Sequence, residues 1–253
     1  MLADTDESRP LAGGMSLLSA MKLGLAQPPQ LVDLRQIPEL VGIRADRTHV
    51  EIGAMTRHAV VAASPEVRAA IPALARLAGG IGDRQVRNRG TIGGSIANND
   101  PAACYPAGVL GLGAVIKTDR REIPADDFFL GLFETRLEPA ELIVGVRFPV
   151  PRAAGYVKFH QPASRFALVG VFVAQLPNGQ VRVAVTGASS VVFRIPELED
   201  ALTRELSPAA AEAVAVSADD LSSDIHADAD YRAHLIPVLA ARAVTQLHDN
   251  PGF

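Results

Sequence analysis

Apolar residues recur along this chain in two rhythms, one with a period near 3.6 and one with a period of two. From Arg9 the run RPLAGGMSLLSAMKLGLAQPPQLVDL predicts a short strand, a Gly-Gly turn and a helix with Leu17, Leu18, Met21 and Leu25 at helical spacing. Pro28-Pro29 ends that helix. LVDL at 31–34 and VEIGAM at 50–55 read as strands, and EVRAAIPALARLAGG at 66–80 reads as a helix closed by Gly79-Gly80. A glycine-rich stretch follows. GLGAVIKTDRREIPADDF at 111–128 has the pattern of a hairpin, and LIVGVRFPVP at 142–151 that of another strand.

Pro149 and Pro151 stop pairing and stiffen a connector, so a boundary is expected between a first domain, residues 1–150, and a second, residues 151–253. Beyond it GYVKFH, FALVGVFVAQL and QVRVAVTGA predict three strands of a small antiparallel sheet, with Pro177-Asn178-Gly179 turning between the last two. From Pro196 the chain is alanine-rich and helical, at 197–206, 208–216 and in an amphipathic helix at about 230–248. The expected class is α+β, with no repeat of fixed period.

Composition narrows the function classes. With 253 residues, 48% hydrophobic and 21% charged, the chain can bury a core. No apolar stretch approaches the ~18 residues that suggest a membrane span. A net charge of -4 gives no chain-wide positive field for nucleic acid or anionic lipid. The single cysteine, Cys104, can form no internal disulfide and hold no cluster by itself. As a redox thiol it has no resolving partner and no cationic neighbour in sequence. The start, MLADTDESR, lacks the basic and apolar regions of a secretory signal, so the cytoplasm is the expected compartment.

Two glycine pairs carry candidate chemistry: Ala12-Gly13-Gly14-Met15-Ser16, opening a helix, and Thr91-Ile92-Gly93-Gly94-Ser95, after the basic residues Arg84, Arg87 and Arg89. Glycine lets the backbone approach closely and aim N–H groups, a helix start adds partial positive charge, and hydroxyls add donors, so a pyrophosphate is a natural guest. The plainer reading is a tight turn or cap at each pair. Neither loop has the Rossmann or Walker pattern. Asn98-Asn99-Asp100-Pro101 reads equally as a polar turn before a helix. His49, His58, His160, His226, His234 and His248 show no metal-ligand spacing, and Asp219, Asp220, Asp224, Asp228 and Asp230 read as a solvated acidic linker.

AGGMSLLSAMKLGLAQPPQLVDL, IGAMTRH and above all DRQVRNRGTIGGSIANNDPAACYPAGVLGLGA resemble the FAD-binding medium subunit of molybdenum hydroxylases, the group that includes carbon monoxide dehydrogenase medium subunits and the xanthine dehydrogenase flavin domain. The likeness continues through FFLGLFETRLEPAELIVGVRFPVP and YVKFHQPASRFALVG, and so spans essentially the whole chain. It implies a two-part FAD-binding domain of PCMH type, followed by a small domain of three antiparallel strands plus helices. It further implies that Ala12 to Ser16 and Thr91 to Ser95 wrap the FAD pyrophosphate, that Ile81 packs near the flavin, and that Leu142-Ile143 meets the adenine side. Cys104 stands where an aspartate or serine usually binds the cofactor's polar chain, and thiol is a weak donor. Either Lys158 or His160 is implied as a basic side chain against the cofactor, and Asn98-Asn99-Asp100-Pro101 is implied close to the isoalloxazine, a reading that stands evenly beside that of a polar turn.

The implied role is electron transfer from iron-sulfur clusters of a small two-cluster partner through FAD to NAD+, oxygen or a quinone. Substrate chemistry would lie on a large molybdenum-pterin partner of a heterotrimer, itself able to dimerise. No side chain here is then needed as a catalytic acid or nucleophile. The alternatives are a stand-alone FAD-dependent oxidase or dehydrogenase of a small molecule, and an assembly factor without FAD. Family members usually carry another strand-helix unit before the first glycine loop. Met1-Leu-Ala-Asp reads as the middle of that helix, so a truncated start is expected.

Overall fold

The computed structural model describes residues 8–249; the expectation concerning Met1-Leu-Ala-Asp lies outside them. Strand β1 (Arg9–Leu11), the first glycine loop and helix α1 (Leu17–Lys22) lead to β2 (Leu31–Asp33), which returns parallel to β1. Two 3-10 turns precede the hairpin of β3 (Ile43–Ala45) and β4 (His49–Gly53). Short helices follow: α2 (His58–Ala63), α3 (Pro65–Ala70), α4 (Pro72–Gly79), α5 (Arg84–Arg89), α6 (Ile92–Asn98) and α7 (Tyr105–Gly111). The hairpin β5 (Val115–Thr118) and β6 (Glu122–Pro124), helix α8 (Ala125–Phe128), the ribbon β7 (Phe129–Gly131) and β8 (Glu134–Thr135), and β9 (Ile143–Pro149) come next. After them run β10 (Ala153–His160), β11 (Ala167–Gln175), β12 (Val181–Thr186), β13 (Phe193–Arg194), α9 (Pro196–Arg204), α10 (Pro208–Glu212) and α11 (Ala229–Asp249).

Two antiparallel sheets organise these elements, one in the order β3-β4-β9-β5-β6 and one in the order β10-β11-β12-β13. The second sheet is buried on both faces, which explains why ALVGVFVAQ is a nearly unbroken apolar run. Phe172, Ala174 and Ala184 face a main core that also holds Leu74, Leu77, Tyr105, Val109, Val146 and Phe148. Val169, Val171 and Val173 on the opposite face pack with Leu198, Leu202, Ile236, Leu239 and Val244. The main core is therefore shared between both sheets. A small third cluster gathers Leu34, Leu40 and Met55 with Ala12, Val32, Leu142 and Val144 against it.

Three expectations change. The helix expected over 66–80 is two helices, because Pro72 lacks an N–H and excludes helical geometry at Ile71, whose φ is -140° and ψ 71°. The expected helix over 208–216 ends at Glu212, leaving Val214 and Val216 partly buried against the second core. The second sheet gains a short fourth strand, β13. The stretch after Gly80 contains three helices despite its glycines. Among the described residues no helix is long and apolar enough to cross a membrane, and no group of three or more His, Cys, Asp or Glu could hold a metal ion.

Candidate functional site

The first glycine loop, Ala12 to Ser16, joins β1 to α1. Gly14 sits at φ +77°, a conformation that favours glycine. Gly13 is required by proximity: a Cβ there would stand 2.2 Å from the Arg89 carbonyl oxygen and 2.9 Å from Gly90 Cα. The carbonyls of Gly14 and Ser16 accept from Leu18 and Ala20 at the start of α1. The N–H groups of Gly13, Gly14, Met15 and Ser16 have no acceptor among the described residues. They are main-chain donors available to a ligand.

The second loop, Thr91 to Ser95, is bound more tightly to the scaffold. Thr91 pairs as an isolated antiparallel bridge with Arg57, and its Oγ1 accepts from Gly94 N at 3.3 Å, capping α6. Ile92 N donates to Thr56 O at 3.1 Å, Gly93 N to Ala54 O at 2.8 Å and Ser95 N to Thr91 O at 3.0 Å. Gly93 must be glycine because a Cβ would lie 2.6 Å from Ala54 Cβ. Gly94 faces the first loop, where a Cβ would meet Ala12 Cβ at 3.5 Å. The two loops therefore touch at Gly13 and at Gly94.

Beside them opens a cleft of about 250 Å³ lined by Ala12, Gly13, Val41, Met55, Val60, Thr91 and the arginines Arg35, Arg57 and Arg89. Arg35 is committed to Asp33, donating from Nε at 3.0 and 2.9 Å to the two carboxylate oxygens. Those bonds, with a backbone bond from Arg35 and the nearby charge of Arg89, hold the Asp33 carboxyl at about 2. Of the three arginines that precede the second loop, Arg89 alone lines the cleft. Arg87 turns inward and donates to the carbonyls of Ile81 and Gly82 at 2.9 and 2.8 Å, tying that turn to α5. Arg84 is exposed away from it.

Ile81, Cys104 and Lys158 form a second neighbourhood. Lys158 Nζ donates to Gly80 O at 2.7 Å, to Arg165 O at 2.7 Å and to Cys104 Sγ at 3.4 Å. An ammonium has three protons, so all of its donors are engaged within the protein. His160 is exposed at a β-bulge, and its ring has no partner among the described residues. Ile143 is buried in the main core at 6% exposure, whereas its neighbours Leu142 and Val144 join the small cluster beside Ala12. The Ile143 side chain thus packs in the core that also holds Ile92 of the second loop, and not in the small cluster that includes Ala12. Cys104 is buried in the main core, ahead of α7.

Asn99 is buried, at φ +42°, and donates from Nδ2 to the carbonyls of Gly131 and Glu134, both at 2.8 Å. Asp100 Oδ1 accepts from Ala102 N. This segment is a turn fastened to the ribbon of β7 and β8, which favours the structural reading of its polar residues. Asp224 and Asp228 likewise cap backbone N–H groups next to α11, and Asp224 also accepts from Arg232. His58 escapes sequence reasoning as a part of the site's support. Burial first, and then the charge of Arg87, pull its imidazole down to about 4, and a Cβ on Gly90 would fall 2.5 Å from its Nε2. Arg57 is also missed, because no spacing marks a residue that reaches the second loop by backbone pairing.

A family model described as the FAD binding domain in molybdopterin dehydrogenase matches residues 1–151. The chain is 37% identical over 259 residues to the nicotine 6-hydroxylase medium subunit of Paenarthrobacter nicotinovorans, covering 97% of this chain and 92% of that one. It is 38% identical over 254 residues to the carbon monoxide dehydrogenase medium chain of Hydrogenophaga pseudoflava, covering 94% and 88%. The solved carbon monoxide dehydrogenase of that organism, in a form lacking the Mo-pyranopterin moiety of its cofactor, matches with a TM-score of 0.88 at 37% identity over 98% of this chain and 92% of that chain. With its paired glycine loops and this extent of similarity, the chain belongs to the family of FAD-binding medium subunits of molybdenum hydroxylases.

Proposed function

We propose that this subunit carries electrons out of a molybdenum hydroxylase complex. It takes them from the iron-sulfur clusters of a small partner and delivers them to NAD+, oxygen or a quinone. Substrate is oxidised on a large molybdenum-pterin partner. The observation that carries this reading is the contact of the two glycine loops, Gly13 on the Arg89–Gly90 backbone and Gly94 facing Ala12. Two glycine loops in close contact, with unengaged N–H groups on the first, fit the diphosphate of FAD.

In this reading Gly13, Gly14, Met15 and Ser16 offer main-chain donors to the diphosphate, and Gly94 keeps the opposite wall free of side chain. Ser95 and Thr91 stand beside that wall, with the Thr91 hydroxyl already capping α6. Leu142, rather than Ile143, provides the apolar contact next to the first loop. Lys158 positions the Ile81 turn and leaves direct contact with the cofactor to others. Bound FAD supplies the chemistry of accepting electrons singly and releasing them in pairs, and the protein supplies orientation and exclusion of water. We also propose a division at 150/151, supported by the connector Pro149-Val150-Pro151 between the last strand of the first sheet and the first strand of the second.

The test is purification of the chain with its co-expressed neighbours, mass spectrometry of the bound chains, and flavin, iron and molybdenum analysis. Dithionite-reduced complex is then mixed separately with oxygen, NAD+ and a soluble quinone while flavin absorbance is followed. Rapid reoxidation by one class of acceptor, and no substrate turnover by the isolated subunit, is expected. Turnover by the isolated subunit, or a purified complex without flavin, would overturn the proposal.

A further inference from the structure

The scaffold leaves the second glycine loop little to offer an anion. Ile92, Gly93 and Ser95 donate to the carbonyls of Thr56, Ala54 and Thr91, and Gly94 donates to Thr91 Oγ1. The open donors of the first loop are uncharged amides. A diphosphate carries net negative charge that neutral amides hydrogen-bond without neutralising, whereas a guanidinium adds an opposite charge and a bidentate pair of donors.

Three arginines line the cleft, and Arg35 is bound to both oxygens of Asp33. Arg57 and Arg89 are exposed and make no ion pair within 4.0 Å among the described residues. Their backbone gives them an address that an ordinary solvated arginine lacks. Arg57 is bridged directly to Thr91, while the carbonyl of Arg89 supports Gly13. In a chain of net charge -4 they concentrate positive charge where the two loops meet.

We infer that Arg57 and Arg89 form the cationic half of the diphosphate site, complementing the amides of Gly13 to Ser16. This rests on the reading of the two loops as the FAD site. The planar guanidinium suits phosphate because it offers paired donors, which lysine does not.

The experiment titrates flavin-free full-length subunit with FAD and with riboflavin, which has the same ring system and no phosphate, following flavin fluorescence. The double variant Arg57→Ala/Arg89→Ala is expected to bind FAD about 10- to 100-fold more weakly. Its riboflavin affinity stays that of wild type, and its FAD affinity varies less with salt. Lysine at both positions restores part of the loss. Circular dichroism checks that each variant is folded. Gly94→Val is the reference for the loops themselves. If Gly94→Val abolishes FAD binding while the arginine variant binds normally, the cationic half is wrong and the loop reading stands. If neither variant affects FAD, both fail. Equal weakening of FAD and riboflavin would also overturn the assignment, since a phosphate clamp cannot affect a ligand without phosphate.

Discussion

Gly13 lies directly on the carbonyl of Arg89, so close that one added carbon would stand 2.2 Å from that oxygen. Residues 76 positions apart thereby hold the two glycine loops together by close backbone approach. Gly13→Ala must push the first loop away, since neither a carbonyl nor Gly90 Cα can yield as a flexible side chain would. Such overpacking costs about 1–3 kcal/mol. The expected result is a folded, colourless protein, measured as the ratio of flavin to protein absorbance. A Gly13→Ala protein with full flavin content would mean that the loop contact is not needed for cofactor retention.

Gly94→Val tests the opposite wall. Its Cβ would meet Thr91 Oγ1 at 3.0 Å, close enough to strain the cap of α6, and the remaining methyl groups would enter the space in front of Ala12. Loss of FAD with at most a modest drop in thermal midpoint is expected. Full flavin occupancy would remove Gly94 from the site.

Much of this was legible because glycine pairs and apolar rhythms have direct physical causes. The valines of β11 and β12 announce strands, Pro177-Asn178-Gly179 announces their turn, and the two glycine loops announce close backbone approach. What stays hidden depends on distant parts of the chain. Helix α6 begins Ile-Gly-Gly-Ser, a poor helix sequence in which each glycine costs about 1 kcal/mol relative to alanine. It persists because Gly93 must fit against Ala54 and donate to its carbonyl. Likewise, Arg84, Arg87 and Arg89 look equivalent in sequence, although one faces solvent, one binds carbonyls and one lines the cleft. Side-chain alternation also separates Leu142, which packs on the same small cluster as Ala12, from Ile143 in the main core.

Lys158 distinguishes a staple from a ligand. Lys158→Met leaves the carbonyls of Gly80 and Arg165 without their charged donor, and because both residues are exposed and water can replace it, each loss costs about 0.5–1.5 kcal/mol at most. The variant should melt earlier and still bind FAD, whereas His160→Ala should change neither property. Loss of flavin by Lys158→Met at an unchanged melting temperature would instead make this lysine a direct cofactor contact.

Acid should loosen the approach to Leu142. The Glu141 carboxylate, with its side chain fully buried, accepts from Arg121 Nε at 3.0 Å, Thr118 Oγ1 at 2.7 Å and Glu138 N at 2.8 Å. The Arg121 bonds foremost hold its carboxyl at about 2 against an ordinary value of 4.5. A depressed folded value means that the unfolded chain binds the proton first. The stabilisation is therefore complete above about 4.5 and lost as pH falls towards about 2. Urea unfolding at stepped pH should show wild type losing stability through that window. Glu141→Gln should start about 2 kcal/mol lower and vary less with pH. Parallel curves for the two proteins would show that other carboxylates control the acid response.

The two sheets should unfold together, because their shared core makes each incomplete without the other. Phe172 of β11 is fully buried among main-core residues, and a Cβ on Gly111 of α7 would stand 3.0 Å from its ring. Across the same junction, Asp126 of α8 accepts from Arg182 of β12 at 2.7 Å and from Arg194 of β13 at 3.1 Å. Partly exposed, those ion pairs add little; the ring is the larger contribution. Phe172→Ala should cost about 3–5 kcal/mol, against less than about 1 kcal/mol for Asp126→Asn. Calorimetry of the wild type should show one transition, and residues 1–150 expressed alone should be insoluble, since the glycine face of α7 loses its cover. Two separated transitions, or a soluble and well-folded 1–150 fragment, would show that the sequence boundary at Pro149-Val150-Pro151 is also a boundary in stability.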